Sequence, residues 1–126
     1  MRILGILMLA GLLANVPLSA HHSFAAEDES NQMITLSGKI TKVEWTNPHI
    51  YVHMDVADAA GKVSSWSVEG YPPNTLKRTG VTRALFKEGD MVTVTAYKSK
   101  DGSNTGAGRE VTFPDKSKKF MGPVGR

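Results

Sequence analysis

With 126 residues, no cysteine and a formal net charge of +3, the chain has room for one hydrophobic core held together by apolar packing alone. The missing cysteines exclude disulfides, a thiolate metal centre, a Cys nucleophile and a haem attachment motif. So mild a charge is not the concentrated basic face of a dedicated nucleic-acid binder, and no nucleic-acid partner is expected.

Met1 and Arg2 form a short positive start, and Ile3 to Val16 then runs almost without a polar residue. Pro17 ends the run, and Ser19 and Ala20 supply small residues at a cleavage position. This is the layout of a secretory signal, so residues 1–20 are expected to be a signal peptide and the product periplasmic or secreted. The apolar run is shorter than the ~20 residues a spanning helix needs, so no stable membrane span is expected after cleavage. Loss of Arg2 leaves 14 basic against 12 acidic side chains, a mature net charge of +2.

Residues 21–32 are polar and aperiodic, with Glu27, Asp28 and Glu29 consecutive, and read as a flexible N-terminal arm. From Met33 the apolar period becomes two. Ile34, Leu36 and Ile40 share one parity, and then the phase moves to Val43 and Trp45. One extra residue moves every later side chain to the opposite face, so a β-bulge is expected at Thr41-Lys42. Trp45 to Pro48 makes a turn. The second strand alternates Ile50, Val52, Met54 and Val56 against His49, Tyr51, His53 and Asp55. Asp58 to Gly61 closes a hairpin into a third strand, Val63 to Glu69, with Trp66 and Val68 inward.

After Tyr71-Pro72-Pro73 come two helical turns. The first is capped by Asn74 or Thr75 and carries Leu76; the second is capped by Thr82 and carries Leu85 and Phe86. Met91 to Tyr97 is a fourth strand, Lys98 to Arg109 a mobile glycine-bearing loop, and Glu110 to Phe113 a fifth strand. Residues 115–126 read as a flexible C-terminal tail. Three strands, a helical link and two more strands follow the order of an OB-type barrel. The expected fold is therefore all-β: a small five-stranded OB-like barrel over residues 33–114, with a short helical segment between strands 3 and 4. An open five-stranded sandwich or roll is the alternative.

The four histidines are the chemically suggestive feature. Cleavage after Ala20 makes His21 the first residue, so its α-amine and ring Nδ1 can chelate one ion. His22 adds a backbone amide and a second ring, and such nitrogen-rich tetragonal arrays favour copper(II). The terminal His alone resembles the histidine brace of copper monooxygenases. His49 and His53 lie about 13 Å apart along a regular strand, too far to share an ion, so at most one of them joins the site. His53, between Tyr51 and Asp55, offers the better nest; His49 reaches if the strand starts irregularly. The plainer reading makes His49, Tyr51, His53 and Asp55 a solvated strand face and His21-His22 a polar chain start.

Trp45, Tyr51 and Asp55 mark a ligand or partner surface on that face, although a Trp in so small a domain is more often core. No phosphate loop, nucleophile elbow or metalloprotease helix is present, so an enzyme is not the first expectation. The chain resembles a family of small exported bacterial proteins classed as a domain of unknown function. The resemblance rests on His21-His22-Ser23-Phe24, on Glu44-Trp45-Thr46-Asn47-Pro48-His49, on Trp66 and Glu69, on Gly89-Asp90, and on Asp101-Gly102. It implies a periplasmic location and the barrel, and no activity. The expected function is an exported periplasmic binding or accessory protein with a copper(II) site. The alternative is a metal-free module that binds a periplasmic protein or small ligand, or acts as a scaffold, through the outer sheet face.

Overall fold

The computed structural model describes residues 32–123. The expectations for the signal peptide, for His21 and His22, and for most of the N-terminal arm lie outside the described residues. Within them the chain forms β1 (Met33–Glu44), β2 (Tyr51–Ala57), β3 (Val63–Glu69), α1 (Pro73–Arg78), a 3-10 turn (Arg83–Leu85), β4 (Met91–Lys98), β5 (Thr105–Thr112) and β6 (Lys118–Phe120).

Antiparallel pairing runs in the order β3-β2-β1-β4-β5-β6. A parallel contact, Ser67 with Thr105, Val68 with Gly106 and Glu69 with Ala107, joins β3 to β5 and closes the first five strands into a barrel. Closure, with the helical link between β3 and β4, is the OB arrangement. It gives partners to backbone groups that an open sheet would leave bare.

Period-two alternation decides what is inside. Leu36, Ile40, Val52, Met54, Val68, Val94 and Val111 are buried from five strands, and the link adds Leu76, Val81 and Phe86. Each such side chain contributes roughly 1.5–3 kcal/mol on leaving water. The phase change in β1 has the expected cause: its register against β2 slips between Ile40 and Lys42, leaving Thr41 as the extra residue. Gly38 sits where β1 crosses closest to β2, and a Cβ there would collide with the backbone carbonyl of Asp55.

Three expectations are corrected. The segment read as a loop from Lys98 to Arg109 is strand from Thr105 onward. Its glycines are small because they are crowded: a Cβ on Gly108 would lie 2.7 Å from Val68 and 2.8 Å from the Met121 sulfur. The segment read as a tail carries β6, paired with β5 through Glu110–Phe120, Val111–Lys119 and Thr112–Lys118. The turn that makes this hairpin is Pro114-Asp115-Lys116, with Lys116 in the left-handed region at φ 75°. Met121 follows and is fully buried, so the tail seals the barrel. Finally, α1 is not capped by Asn74 or Thr75; its N-cap is Pro72, no side chain caps it, and Pro73 takes the first helical position. Thr82 precedes the 3-10 turn, likewise without a side-chain cap.

Candidate functional site

The outward side chains of β1, β2 and β3 form one polar surface, and the strand register sets their neighbours. Lys39, Asp55 and Ser65 make one cross-strand row; Lys42, His53 and Ser67 the next; Glu44, Tyr51 and Glu69 the third. The Gly70 amide donates to the Ile50 carbonyl at 2.9 Å, which carries the β2–β3 ladder one step further.

Two imidazole–carboxylate pairs lie on this surface. His53 Nε2 is 2.9 Å from Glu44 Oε2, and its Nδ1 is 2.7 Å from the Ser67 hydroxyl. The pattern fits a ring that donates to the carboxylate and accepts from the hydroxyl, a tautomer assigned from the partners. The His53 hydrogen bond, helped by nearby Lys42, holds the Glu44 carboxyl below its ordinary value of 4.5. Both ring nitrogens of His53 are therefore engaged.

His49 is presented differently. It follows the Asn47–Pro48 turn, just before β2, and its Nδ1 meets Glu69 Oε1 at 2.5 Å. Its Nε2 has no hydrogen-bond partner among the described residues. Its side chain is 43% exposed, against 28% for His53. A ring with one nitrogen against a carboxylate and the other open is a presentation that metal-ligating histidines share. Of the two imidazoles, His49 keeps a ring nitrogen without a partner among the described residues and His53 does not.

The rest of the expected surface is divided. Tyr51 stands outward and stacks near His53, ring centres 6.5 Å apart and planes inclined by 21°. Asp55 is not a partner of His53; it accepts from the Ser65 hydroxyl at 3.2 Å. Trp45 leaves this surface altogether. It shares the inward parity of Val43, packs against the core and lies 5.8 Å from the Phe86 ring. Among the described residues no group of three His, Cys, Asp or Glu side chains is placed to hold a metal ion.

Sequence reasoning missed Glu44 and Ser67 as partners of His53 and Glu69 as the partner of His49. A signal existed. Counting back from the Asp58–Gly61 turn, with Ala57 opposite Val63, sets Tyr51 against Glu69 and His53 against Ser67.

A model for a family of unknown function, DUF6152, matches residues 10–109. The chain belongs to DUF6152. Its match to the family runs through β1 to β4 and into β5, as far as the bulged residue Arg109. No curated protein matches this DUF6152 chain. Among solved structures it is similar to the mitochondrial single-stranded DNA binding protein Rim1 of S. cerevisiae, at 12% identity and a TM-score of 0.49, over 68% of this chain and 97% of that one. A selenomethionine-labelled crystal of the same protein gives 13% identity and a TM-score of 0.43, over 72% and 97%. Among the described residues of the DUF6152 chain, no helix is long and apolar enough to cross a membrane.

Proposed function

We propose that the chain is an exported periplasmic binding module that holds one copper(II) ion between its processed N-terminus and the outer face of β1, β2 and β3. Removal of residues 1–20 exposes the His21 amine, which titrates near ~7.7–8 and yields its proton to a metal at ordinary pH. That amine, the His21 ring and the His22 amide and ring supply the primary donors. His49 Nε2 supplies a further nitrogen from the barrel. The observation that supports this reading is the His49–Glu69 contact, which sets a carboxylate against one ring nitrogen and leaves the other without a partner among the described residues.

Chain length constrains the arrangement. Nine residues lie between His22 and Gln32, and the ten steps from one to the other give a contour of at most ~36 Å. β1 is 12 residues long, about 36 Å if straight, but it coils around the barrel and bends at Thr41, so its ends lie closer. The contour of this segment is comparable with the length of β1, so it suffices for His21 and His22 to reach His49.

The test is mass spectrometry of the mature N-terminus, followed by copper(II) titration of the processed form. Binding near one equivalent is expected. An extra Met ahead of His21 should weaken it sharply, because the α-amine moves off the chelate. Equal affinity with that extension rejects the terminal site.

A further inference from the structure

We propose that Ser67 is an activated nucleophile that accepts an acyl group from an ester, with His53 as its general base and Glu44 positioning the imidazole. A hydroxyl, an imidazole and a carboxylate are joined in one hydrogen-bonded chain: Ser67 Oγ to His53 Nδ1 at 2.7 Å, and His53 Nε2 to Glu44 Oε2 at 2.9 Å. Both distances lie within the reach required of a nucleophile, its base and the group that orients the base. The ring is turned end for end relative to a Ser-His-Asp triad, in which the hydroxyl meets Nε2 and the carboxylate meets Nδ1. Either nitrogen of an imidazole takes up a proton, so the roles are preserved.

Three adjacent strands hold the parts. His53 of β2 is in register with Lys42 of β1 on one side and Ser67 of β3 on the other, and Glu44 lies two residues beyond Lys42. Lys42 Nζ stands 3.5 Å from the second carboxylate oxygen, Oε1, so each oxygen of Glu44 has a partner. The His53 hydrogen bond also holds the Glu44 carboxyl below its ordinary 4.5, which keeps it ionised at neutral pH. An ionised Glu44 accepts from Nε2–H and leaves the Nδ1 lone pair toward the hydroxyl. Ser65, two residues earlier on β3, is a natural control. It is exposed, and its hydroxyl donates to a carboxylate, Asp55, at 3.2 Å. A carboxylate is a far weaker base than an imidazole.

The reaction is acyl transfer. Ser67 Oγ attacks the ester carbonyl carbon while its proton passes to His53 Nδ1. The tetrahedral intermediate collapses, the bond from carbon to the leaving oxygen breaks, and the leaving group departs with that proton. Water then hydrolyses the serine ester, giving its proton to His53, which returns it to Ser67 Oγ. One donor that serves an oxyanion in such sites is the amide of the nucleophile itself. Here the Ser67 amide is spent on the Asn104 carbonyl at 3.1 Å. A serine alkoxide is also a poorer leaving group than a phenoxide. An aryl ester therefore loads Ser67 faster than water frees it, and the acylated protein accumulates.

The experiment treats the processed protein with p-nitrophenyl acetate in the presence of EDTA and maps the acetylated residues over time by peptide mass spectrometry. Ser67 should approach full occupancy while Ser65 stays unmodified. His53→Ala should slow acetylation of Ser67 about a hundredfold or more. Glu44→Gln should slow it at least about tenfold and move the nitrogen NMR shifts of the His53 ring toward the other tautomer. Thermal unfolding of each variant checks that the barrel persists. If His53→Ala does not fold, Glu44→Gln and the comparison of Ser67 with Ser65 in the parent protein decide the matter. An unmodified Ser67, equal labelling of Ser65, or a Ser67 rate that neither substitution lowers overturns the proposal. EDTA removes copper from the measurement, so this outcome and the copper titration are read separately.

Discussion

Glu44 occupies the Nε2 of His53 at 2.9 Å, and this contact selects which imidazole of the outer face stays open. With the Ser67 hydroxyl on the other nitrogen, His53 has no free donor, whereas His49 keeps its Nε2 toward solvent. Replacing His49 with Ala should therefore lower copper affinity and change the electron paramagnetic resonance spectrum of the loaded protein. His53→Ala should leave both nearly unchanged. The reverse order would assign the third ligand to His53.

Glu69 touches only the ring, so its effect on the metal acts through His49. Glu69→Gln should weaken copper(II) binding roughly 10–100-fold if His49 is a ligand and change it little if His49 is not. Titrations of the processed protein and of the His49→Ala variant separate these outcomes, because the Glu69 effect should vanish once His49 is gone.

Deleting residues 117–126 tests the sealing role of the C-terminus. A solvated tail would cost nothing. Here the deletion removes β6 and the fully buried Met121, and Met121→Ala alone should cost about 2–5 kcal/mol. Denaturant unfolding of both variants reads the difference.

Gly108→Ala puts a methyl group 2.7 Å from a Val68 methyl and 2.8 Å from the Met121 sulfur. Overpacking of this kind costs about 1–3 kcal/mol. The expected result is a lowered melting temperature, partly restored by Val68→Ala in the double variant.

Acid should destabilise the fold through identifiable carboxylates. The Ser103 hydroxyl and amide hold Asp101 below its ordinary 3.8, and those of Ser117 do the same for Asp115. Glu44 is held below 4.5, chiefly by the His53 hydrogen bond. A depressed folded value means that the contribution is present above the ordinary pKa and is lost as pH falls through the folded one. Stability should therefore decline from the mid-fours downward. Ser103→Ala and Ser117→Ala should flatten that decline in denaturant midpoints measured from pH 5 to pH 2.

How much of this was legible in the amino acids depends on what each segment spends its side chains on. β2 could be read because Ile50, Val52, Met54 and Val56 alternate with His49, Tyr51, His53 and Asp55 from just before it through most of its length. The Thr41 bulge could be read because Val43 and Trp45 fall out of phase with Leu36 and Ile40. The first half of β5 could not. Gly106 and Gly108 carry no hydrophobic pattern, since their job is to leave space for other groups. β6 was hidden because it is three residues long and opens on two lysines, with Phe120 exposed and the buried apolar side chain, Met121, coming only after it. On the candidate site, the face and its histidines were visible from alternation, but which carboxylate met which ring required the strand register. Trp45 was misplaced on that face because its bulge-shifted parity points it to Phe86.

The last apolar side chain to enter the barrel, Met121, lies five residues from the C-terminal end of the chain. The contacts that hold it reach back to Tyr71 and Arg109, and the closing β3–β5 pairs join residues almost forty positions apart. Such distant pairings form slowly. A polypeptide emerging N-terminus first therefore has no complete barrel until Met121 itself has been added.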